Sequence, residues 1–124
     1  SFQCWGLNDK GQLGQGDEAN RGDTAGFLGA NLAAIALGSS DVPTAIACGS
    51  SFTCVLFADM SIKCFGDNSY GQLGIGSDDE EVGTLDTDMG ANLAAVDLGG
   101  NVIEIAAGGS SVCAKLGNGN LKCW

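Results

Sequence analysis

Histidine is missing from this 124-residue sequence, and none of its six cysteines belongs to a Cys-x-x-Cys pair. Zinc sites are built mainly from histidine and paired cysteine, so the sequence offers a zinc ion almost no ligands. Histidine is also the most common general base, and no serine or cysteine here has another evident base beside it. We therefore expect no catalytic residue, no metal and no cofactor.

Basic residues are scarce as well. Five lysines and arginines stand against fifteen aspartates and glutamates, which gives a formal net charge of −10. Nucleic acids and anionic membrane surfaces attract clusters of lysine and arginine, so we expect neither as a partner. No apolar run approaches the roughly 18 residues of a membrane-spanning helix, and no apolar leader opens the sequence. We expect no membrane insertion, and a chain that is either mature or a fragment of a longer protein.

Glycine and cysteine are what the sequence does contain. The 21 glycines are too many for a helical protein, and they do not follow the three-residue period of collagen. Six cysteines in a short acidic chain indicate disulfides and an oxidising compartment. Reduced, buried cysteines in a cytosolic protein are the alternative. The cysteine content therefore predicts an extracellular location, secreted or at the cell surface.

One glycine-rich stretch occurs twice. Residues 4–16 read CWGLNDKGQLGQG and residues 64–76 read CFGDNSYGQLGIG, and a third copy begins at residues 123–124. Glycine allows the positive φ angles of tight turns, and the asparagine of each copy can close an Asx-turn with its own backbone. We expect each copy to end a strand and enter a sharp turn. The residues that define this turn are Trp5, Gly6, Asn8, Gly11, Gln12, Leu13 and Gly14 in the first copy and Phe65, Gly66, Asn68, Gly71, Gln72, Leu73 and Gly74 in the second.

Other segments recur at nearly the same spacing. Residues 29–38 match residues 90–99, and residues 44–64 match residues 103–123. A constant period of this length indicates tandem structural repeats rather than unrelated domains. The predicted division is the last strand of a preceding repeat in residues 1–4, a first repeat in residues 5–64 and a second repeat in residues 65–124.

Short apolar runs separated by glycine, serine, asparagine and aspartate predict an all-β fold with four strands in each repeat. In the first repeat these strands are residues 34–37, 44–48, 52–57 and 61–65. In the second repeat they are residues 95–98, 102–107, 112–116 and 120–124. The acidic segments 16–29 and 76–90 are expected to be exposed loops.

The third and fourth strands predict a hairpin with a fixed register. With a three-residue turn at residues 58–60, Cys54 faces Cys64, and the same rule in the second repeat places Cys113 opposite Cys123. Opposed residues at a non-hydrogen-bonded site lie about 4.5 Å apart in Cα, which a disulfide tolerates. We predict the disulfides Cys54–Cys64 and Cys113–Cys123.

Two cysteines are left without a partner by this rule. Cys4 would need a partner ten positions upstream, and Cys48 stands where the second repeat has Ala107. The two cysteines could bond to each other, or Cys4 could bond to an upstream segment or to another subunit. The sequence leaves these alternatives open.

Three short motifs resemble functional sites, and each has a structural explanation. The glycines of residues 11–16 suggest a phosphate-binding loop, but their order is wrong, no helix follows, and the motif recurs in each repeat. The Arg21-Gly22-Asp23 tripeptide has no counterpart in the second repeat. The acidic residues 78–81 lack the order of a calcium loop, so we expect a solvated loop.

The repeated sequence resembles a known family. Residues 51–74, SFTCVLFADMSIKCFGDNSYGQLG, look like the repeat of the regulator of chromosome condensation family, and MGANLAAVDLG at residues 89–99 is similar to the cysteine-bearing, secreted members. The resemblance implies that each repeat is one four-stranded blade of a β-propeller, usually of seven blades. One relative is a nuclear exchange factor for a small GTPase, a role that the acidic charge and the cysteines of this chain argue against. Another is a secreted inhibitor of a β-lactamase, so the resemblance implies a protein-binding scaffold.

Composition and resemblance together give a functional expectation. We expect an extracellular structural or interaction module, built as part of a β-propeller or an open propeller-like array. It would be a building block of a larger assembly such as a fibre or surface appendage, and its partners would be copies of itself or adjoining repeats. The alternative is part of a closed, seven-bladed secreted propeller that binds a protein through its loop face.

Overall fold

The computed structural model describes all 124 residues and contains only short elements. Seven strands are present: β1 (Pro43–Cys48), β2 (Phe52–Phe57), β3 (Ile62–Asp67), β4 (Glu81–Val82), β5 (Val102–Gly108), β6 (Ser111–Leu116) and β7 (Leu121–Cys123). Three 3₁₀ helices of one turn each cover Gly29–Asn31, Asp86–Asp88 and Gly90–Asn92. None of the helices is long and apolar enough to cross a membrane.

The strands form two antiparallel sheets, and the all-β prediction is confirmed. The first sheet has the order β1-β2-β3-β4 and the second the order β5-β6-β7. We call them the first blade and the second blade. β1 and β5 lie side by side, so the blades are stacked with their first strands adjacent.

The hairpins have the register that the sequence predicts. Cys54 is opposite Cys64 and Cys113 is opposite Cys123, each pair with Cα atoms 4.1 Å apart and each joined by a disulfide. A positive φ closes each hairpin, at Met60 in the first blade and at Gly119 in the second. The same turn geometry therefore positions the thiols twice.

The first predicted strand of each repeat is wrong. Residues 34–37 form no strand, and of residues 95–98 only Ala95 makes an isolated bridge, to Lys63. Ile35 and Leu37 pack against the first blade, and Val96 packs between the blades. The apolar residues of these segments are buried against the sheets, and the backbone adds isolated hydrogen bonds, such as those from Ile35 to Phe2 and from Val96 to Ile62. We call residues 32–37 and 93–98 the interblade segments.

The fourth strand of the first blade comes from a segment predicted to be loop. β4 lies within the acidic stretch, where Val82 pairs with Gly66 and Glu81 with Asp67. β3 itself crosses the predicted repeat boundary between residues 64 and 65. The sheet of the first blade thus combines residues of both sequence repeats.

The core lies between the blades. Alternate side chains of the first blade point towards the second, and we call this its forward face: Phe52, Cys54, Leu56, Ile62 and Cys64, all buried. They meet the opposite face of the second blade, its rear face: Val102, Val112, Ala114 and Leu116. The rear face of the first blade (Val55, Phe57 and Phe65) packs against the interblade residues, with Phe2 and Cys4 at its margin.

Candidate functional site

A buried asparagine organises the glycine-rich turn of the first repeat. The Oδ1 atom of Asn8 accepts the backbone N–H of Leu13 at 2.9 Å, and its Nδ2 donates to the carbonyl oxygen of Asp17 at 2.7 Å. The backbone N–H of Asn8 donates to the side chain of Asn20 at 2.9 Å. The amide therefore ties the turn to the following loop, which is a longer reach than the Asx-turn that the sequence suggests.

The second repeat builds the same arrangement. Asn68 accepts the N–H of Leu73 at 3.1 Å and donates to the carbonyl oxygens of Asp79 at 2.8 Å and Ser77 at 3.4 Å. Asn8 and Asn68 are both buried and fully satisfied. A buried amide of this kind is costly to remove because its partners would lose their hydrogen bonds. These asparagines are structural.

The turns also join successive blades. Thr53 of β2 donates from Oγ1 to the carbonyl oxygen of Gln12 at 2.8 Å, and Nε1 of Trp124 donates to that of Gln72 at 3.0 Å. Gln12 and Gln72 occupy equivalent positions. The donor to the Gln12 carbonyl lies in β2, whereas the donor to the Gln72 carbonyl follows β7. The sequence analysis missed both contacts, because nothing local links a turn to the blade that follows it.

Each glycine-rich turn requires glycine at the position where it packs against the following blade. Gly14 and Gly74 both have a φ of +65°, and a Cβ at Gly14 would lie 2.8 Å from Cε2 of Phe65. At Gly74 it would lie 2.7 Å from Nε1 of Trp124. Each turn thus packs its backbone against an aromatic ring, and a side chain there would be both strained and crowded.

The turn does not present a phosphate site. The N–H of Gly11 donates to the carbonyl oxygen of Asn8 at 3.1 Å, and that of Gly14 donates to Gly11 at 2.9 Å. Since these donors are used within the turn and no helix follows it, the glycines serve backbone geometry.

Arg21 of the Arg-Gly-Asp tripeptide is held in the fold. Its backbone exchanges hydrogen bonds of 2.8 and 3.0 Å with Gly6, and Nη2 lies 2.6 Å from Oδ2 of Asp17. Partial burial alone would raise the pKa of Asp17, but the hydrogen bond and charge of Arg21 outweigh it, so the pKa lies below its ordinary value. The arginine is thus a structural partner of the loop.

Eight acidic side chains collect where β3 ends and β4 begins and at the equivalent loop of the first repeat. We call this end of the blades the acidic face: Asp9, Asp17, Glu18, Asp67, Asp78, Asp79, Glu80 and Glu81. The two basic residues there are Lys10 and Arg21, which leaves an excess of six negative charges. Nζ of Lys10 lies 3.1 Å from Oε2 of Glu81, so this ion pair links the loops of the two repeats.

The ion pair with Glu81 shifts the pKa of Lys10. The hydrogen bond and charge of Glu81, with smaller contributions from Asp67 and Asp9, raise the pKa of Lys10. Both cations of the acidic face are thus paired with carboxylates, while Asp78 and Glu80 are exposed and unpaired. No group of three or more potential ligands comes together as a metal site. Asp78, Asp79 and Glu80 are exposed, whereas Glu81 lies in β4 and is partly buried.

Two equivalent lysines form contacts that the sequence analysis missed. Nζ of Lys63 donates to the carbonyl oxygen of Leu37 at 2.8 Å, and Nζ of Lys122 donates to that of Leu98 at 2.7 Å. Partial burial lowers the pKa of Lys63. Each lysine fastens the end of an interblade segment, and their matching repeat positions are the signal that could have identified them.

The remaining cysteines share one cavity. Cys4 and Cys48 carry free thiols and both line a cavity of about 330 Å³, together with Trp5, Leu7 and Phe52. Burial raises the pKa of the Cys4 thiol, and the proximity of Cys48 raises it further. Trp5 and Leu7 are 65% and 56% exposed, so apolar side chains are accessible to solvent beside this cavity.

The fold and the repeats have known relatives. The family model of the regulator of chromosome condensation (RCC1) repeat matches residues 44–72. The RCC2 homologue of Danio rerio is 40% identical over 78 residues, which is 63% of this chain and 14% of that protein. The chain thus spans a small part of the curated relatives that it matches.

Solved structures give the same answer for the fold. Prp20p from Saccharomyces cerevisiae superposes with a TM-score of 0.73 at 22% identity, covering 97% of this chain and 28% of that one. A complex of Kap60 with the same yeast RCC1 protein gives a TM-score of 0.70. The two sheets are therefore RCC1-type propeller blades. The Prp20p study concerns binding to Gsp1p and histones, so a relative of this fold binds proteins.

The prediction of an extracellular location is wrong. The RCC2 and RCC1 proteins that the chain resembles are intracellular. The prediction failed because the cysteine count was read as a sign of compartment. Four of the six cysteines are paired by hairpin register, which positions thiols whatever the surroundings. The absence of an enzymatic activity stays a prediction.

Proposed function

We propose that this chain, which consists of RCC1-type repeats, is a protein-binding segment of a β-propeller and that its acidic face receives a basic protein surface. The acidic face carries the proposal. It has eight carboxylates against two cations that are already paired, and Asp78 and Glu80 are exposed. Such a field attracts a cationic partner and speeds its association.

The size of the relatives supports a propeller context. The two blades correspond to 28% of the Prp20p chain, or 28/2 = 14% for each blade, which is the share of one blade in a ring of about seven. Prp20p binds histones, which are basic proteins, so a related scaffold already has a partner of this charge.

The residue chemistry is consistent with binding rather than turnover. Asn8, Gln12, Asn68 and Gln72 are all buried and engaged in the turns. The carboxylates that remain exposed are in loops, where water keeps them charged. They are therefore available as an electrostatic surface.

An open array of copies is the other expected function, and the size of the relatives favours a closed ring over it. In either arrangement the forward face of the second blade, with Ser111, Lys115 and Glu104, would meet the rear face of another blade. Self-assembly stays a prediction, and the propeller segment is the better-supported function.

The test measures binding of core histones as the basic probe, by fluorescence anisotropy at several salt concentrations. We expect binding that weakens steeply with salt, and an affinity loss of about two- to tenfold when Asp78→Asn and Glu80→Gln are combined. The matched control combines Asp41→Asn with Glu104→Gln, which removes the same charge elsewhere. An equal loss in both variants, or binding that is insensitive to salt, would contradict the assignment of the acidic face.

A further inference from the structure

The hairpin turn of the second blade contains the only Asn-Gly dipeptide of the sequence, Asn118-Gly119, and both residues are exposed. Gly119 has a φ of +90°, and its N–H donates to the carbonyl oxygen of Leu116 at 2.9 Å, which closes the turn. The Oδ1 atom of Asn118 accepts the backbone N–H of Asn120 at 3.0 Å. A solvated side-chain amide therefore stands next to the backbone nitrogen of a residue without a side chain.

The turn supplies the groups that an intramolecular loss of ammonia requires. The backbone nitrogen of Gly119 attacks Cγ of Asn118 and closes a succinimide ring. The bond from Cγ to Nδ2 breaks, and the amide nitrogen takes the proton of the attacking nitrogen and leaves as ammonia. The N–H of Asn120 stabilises the negative charge that develops on Oδ1 during the attack. The hydrogen bond of Gly119 lies in an exposed turn, where local opening releases the nitrogen.

We propose that Asn118 is a site of spontaneous deamidation and that the folded hairpin directs the reaction to aspartate rather than isoaspartate. The hairpin turns lie at the end of the blades where β3 and β7 begin, whereas the acidic face lies where β3 ends. The inference is therefore independent of the proposed function.

The first blade shows that a carboxylate fits this turn. Asp59 occupies the equivalent position, and its Oδ1 accepts the N–H of Ser61 at 3.0 Å, as Oδ1 of Asn118 accepts the N–H of Asn120. The hydrogen bond that closes the turn has the same length of 2.9 Å in both blades. Conversion of Asn118 to aspartate thus preserves the turn and adds one negative charge.

Asp59 also shows that a neighbouring blade leaves this position in water. It is exposed although the second blade packs on the forward face of the first. The contact that the second blade makes with this turn is at the next residue, where the carbonyl oxygen of Met60 accepts the N–H of Val102 at 3.1 Å. A further blade beside the second would therefore leave the Asn118 side chain accessible.

Isoaspartate does not fit the turn. Water that attacks Cγ of the succinimide restores the normal backbone as aspartate, whereas water that attacks the backbone carbonyl carbon produces isoaspartate, whose main chain runs through Cβ and Cγ. The added main-chain atom lies between Leu116 and Gly119 and displaces the N–H that closes the turn. Since the disulfide Cys113–Cys123 fixes the separation of the strands, the folded hairpin favours aspartate.

The structure excludes a second candidate that the sequence suggests. Asn68 is followed by the small residue Ser69. However, Asn68 is buried, and its amide nitrogen donates to the carbonyl oxygens of Ser77 and Asp79. The N–H of Ser69 is bonded to Oδ1 of Asp67. The leaving amide is thus held away from water, and Asn68 should react only when the chain unfolds.

The experiment incubates the intact, disulfide-bonded chain at mildly alkaline pH. Peptide mapping by mass spectrometry measures deamidation at each asparagine, and isoaspartate methyltransferase distinguishes the two products. Asn101 and Asn120 are the internal controls, because both are exposed and are followed by Val102 and Leu121. Side chains crowd the attacking nitrogen in these controls, so we expect Asn118 to react at least about tenfold faster.

The reduced chain, unfolded in guanidinium chloride, is the second control. It should deamidate at Asn68 as well as at Asn118 and yield mainly isoaspartate, whereas the native chain should react at Asn118 alone and yield mainly aspartate. Asn118→Gln should abolish the reaction at this position, because the longer side chain closes a less favourable ring. Asn118→Asp, the expected product, should unfold at the same urea concentration as the parent.

Four results would contradict the proposal. They are an unreactive Asn118 in the native chain, a native reaction that begins at Asn68, an equal proportion of isoaspartate in the native and unfolded chains, and a clear loss of stability in Asn118→Asp.

Discussion

The forward faces of the two blades occupy equivalent positions and have opposite chemistry. The first blade presents Phe52 and Leu56, both buried, and the second presents Ser111 and Lys115, both exposed. Despite this, the hairpins share one register and one disulfide geometry. Hairpin formation thus depends on the turn and the cysteines, whereas the side chains of the face depend on what covers it.

The first strands of the two blades, β1 and β5, repeat the contrast. Ala45 of β1 is partly buried at a position where β5 has the exposed Glu104. The second blade therefore combines an apolar rear face with a polar forward face, while the first blade is apolar on both.

Exchanging one residue between the faces should produce the largest effect. Leu56→Lys places an ammonium group in the core between the blades, and we expect the free energy of unfolding to fall by about 4 kcal/mol or more. The reciprocal Lys115→Leu changes an exposed site and should stay within about 0.5 kcal/mol of the parent. Urea denaturation followed by circular dichroism measures both.

Similar losses in the two variants would contradict the contrast. Similar losses would indicate that the forward face of the first blade is no better packed than the forward face of the second blade. Loss of folding in Leu56→Lys alone would agree with the expectation, and Leu56→Ala provides the milder variant for which a free energy can be measured.

The two disulfides should differ in their resistance to reduction. Cys54 and Cys64 are both fully buried, whereas Cys123 is exposed and Cys113 partly so. A thiolate reductant must reach the sulfur, so the bond of the second blade should be reduced first in the native protein. Each bond closes a loop with a sequence separation of 10, and its loss should cost about 2–3 kcal/mol.

Timed alkylation during mild dithiothreitol treatment, followed by peptide mapping, gives the order of reduction. The unfolded protein in urea is the control, in which the two bonds should be reduced at similar rates. Earlier reduction of Cys54–Cys64 in the native state would refute the difference in packing.

Local sequence pattern was sufficient for some features and not for others. The hairpin register and both cysteine pairs follow from short-range spacing, because the turn at residues 58–60 fixes the pairs around it. The interblade segments were mistaken for strands because burial between sheets produces the same apolar runs as a ladder. The pairing of Val82 with Gly66 depends on a partner far along the chain, which local pattern does not report.

The candidate surfaces show the same limit. Asn8 and Gln12 stand out in the sequence, but their partners Asp17 and Thr53 do not. Repeats thus supply a comparison within one molecule, and the unmatched positions carry the functional information.

The smallest expected effect concerns the two glycine-rich turns. Asp17 and Ser77 are equivalent, but Asn8 donates to a carboxylate oxygen of Asp17 at 3.1 Å, whereas Asn68 reaches only the backbone carbonyl oxygen of Ser77, at 3.4 Å. The pKa of Asp17 is below its ordinary value in the folded state, because Arg21 and the N–H of Ala19 outweigh the effect of burial. The associated stability is therefore present above the unfolded pKa, close to 3.8, and is lost as the pH falls through the folded pKa.

Asp17→Ser makes the first turn resemble the second, and it should flatten the pH dependence of unfolding below pH 3.8. Because the Asp17 side chain is 44% exposed, solvent screening limits the change to less than about 1 kcal/mol. Urea denaturation of both proteins at a series of pH values measures it. The residual slope belongs to other carboxylates such as Asp67, whose pKa is also lowered: burial would raise it, and hydrogen bonds from Ser69 and Gln72 overcome that effect. An unchanged slope in Asp17→Ser would mean that the Arg21 pair contributes nothing to the first turn.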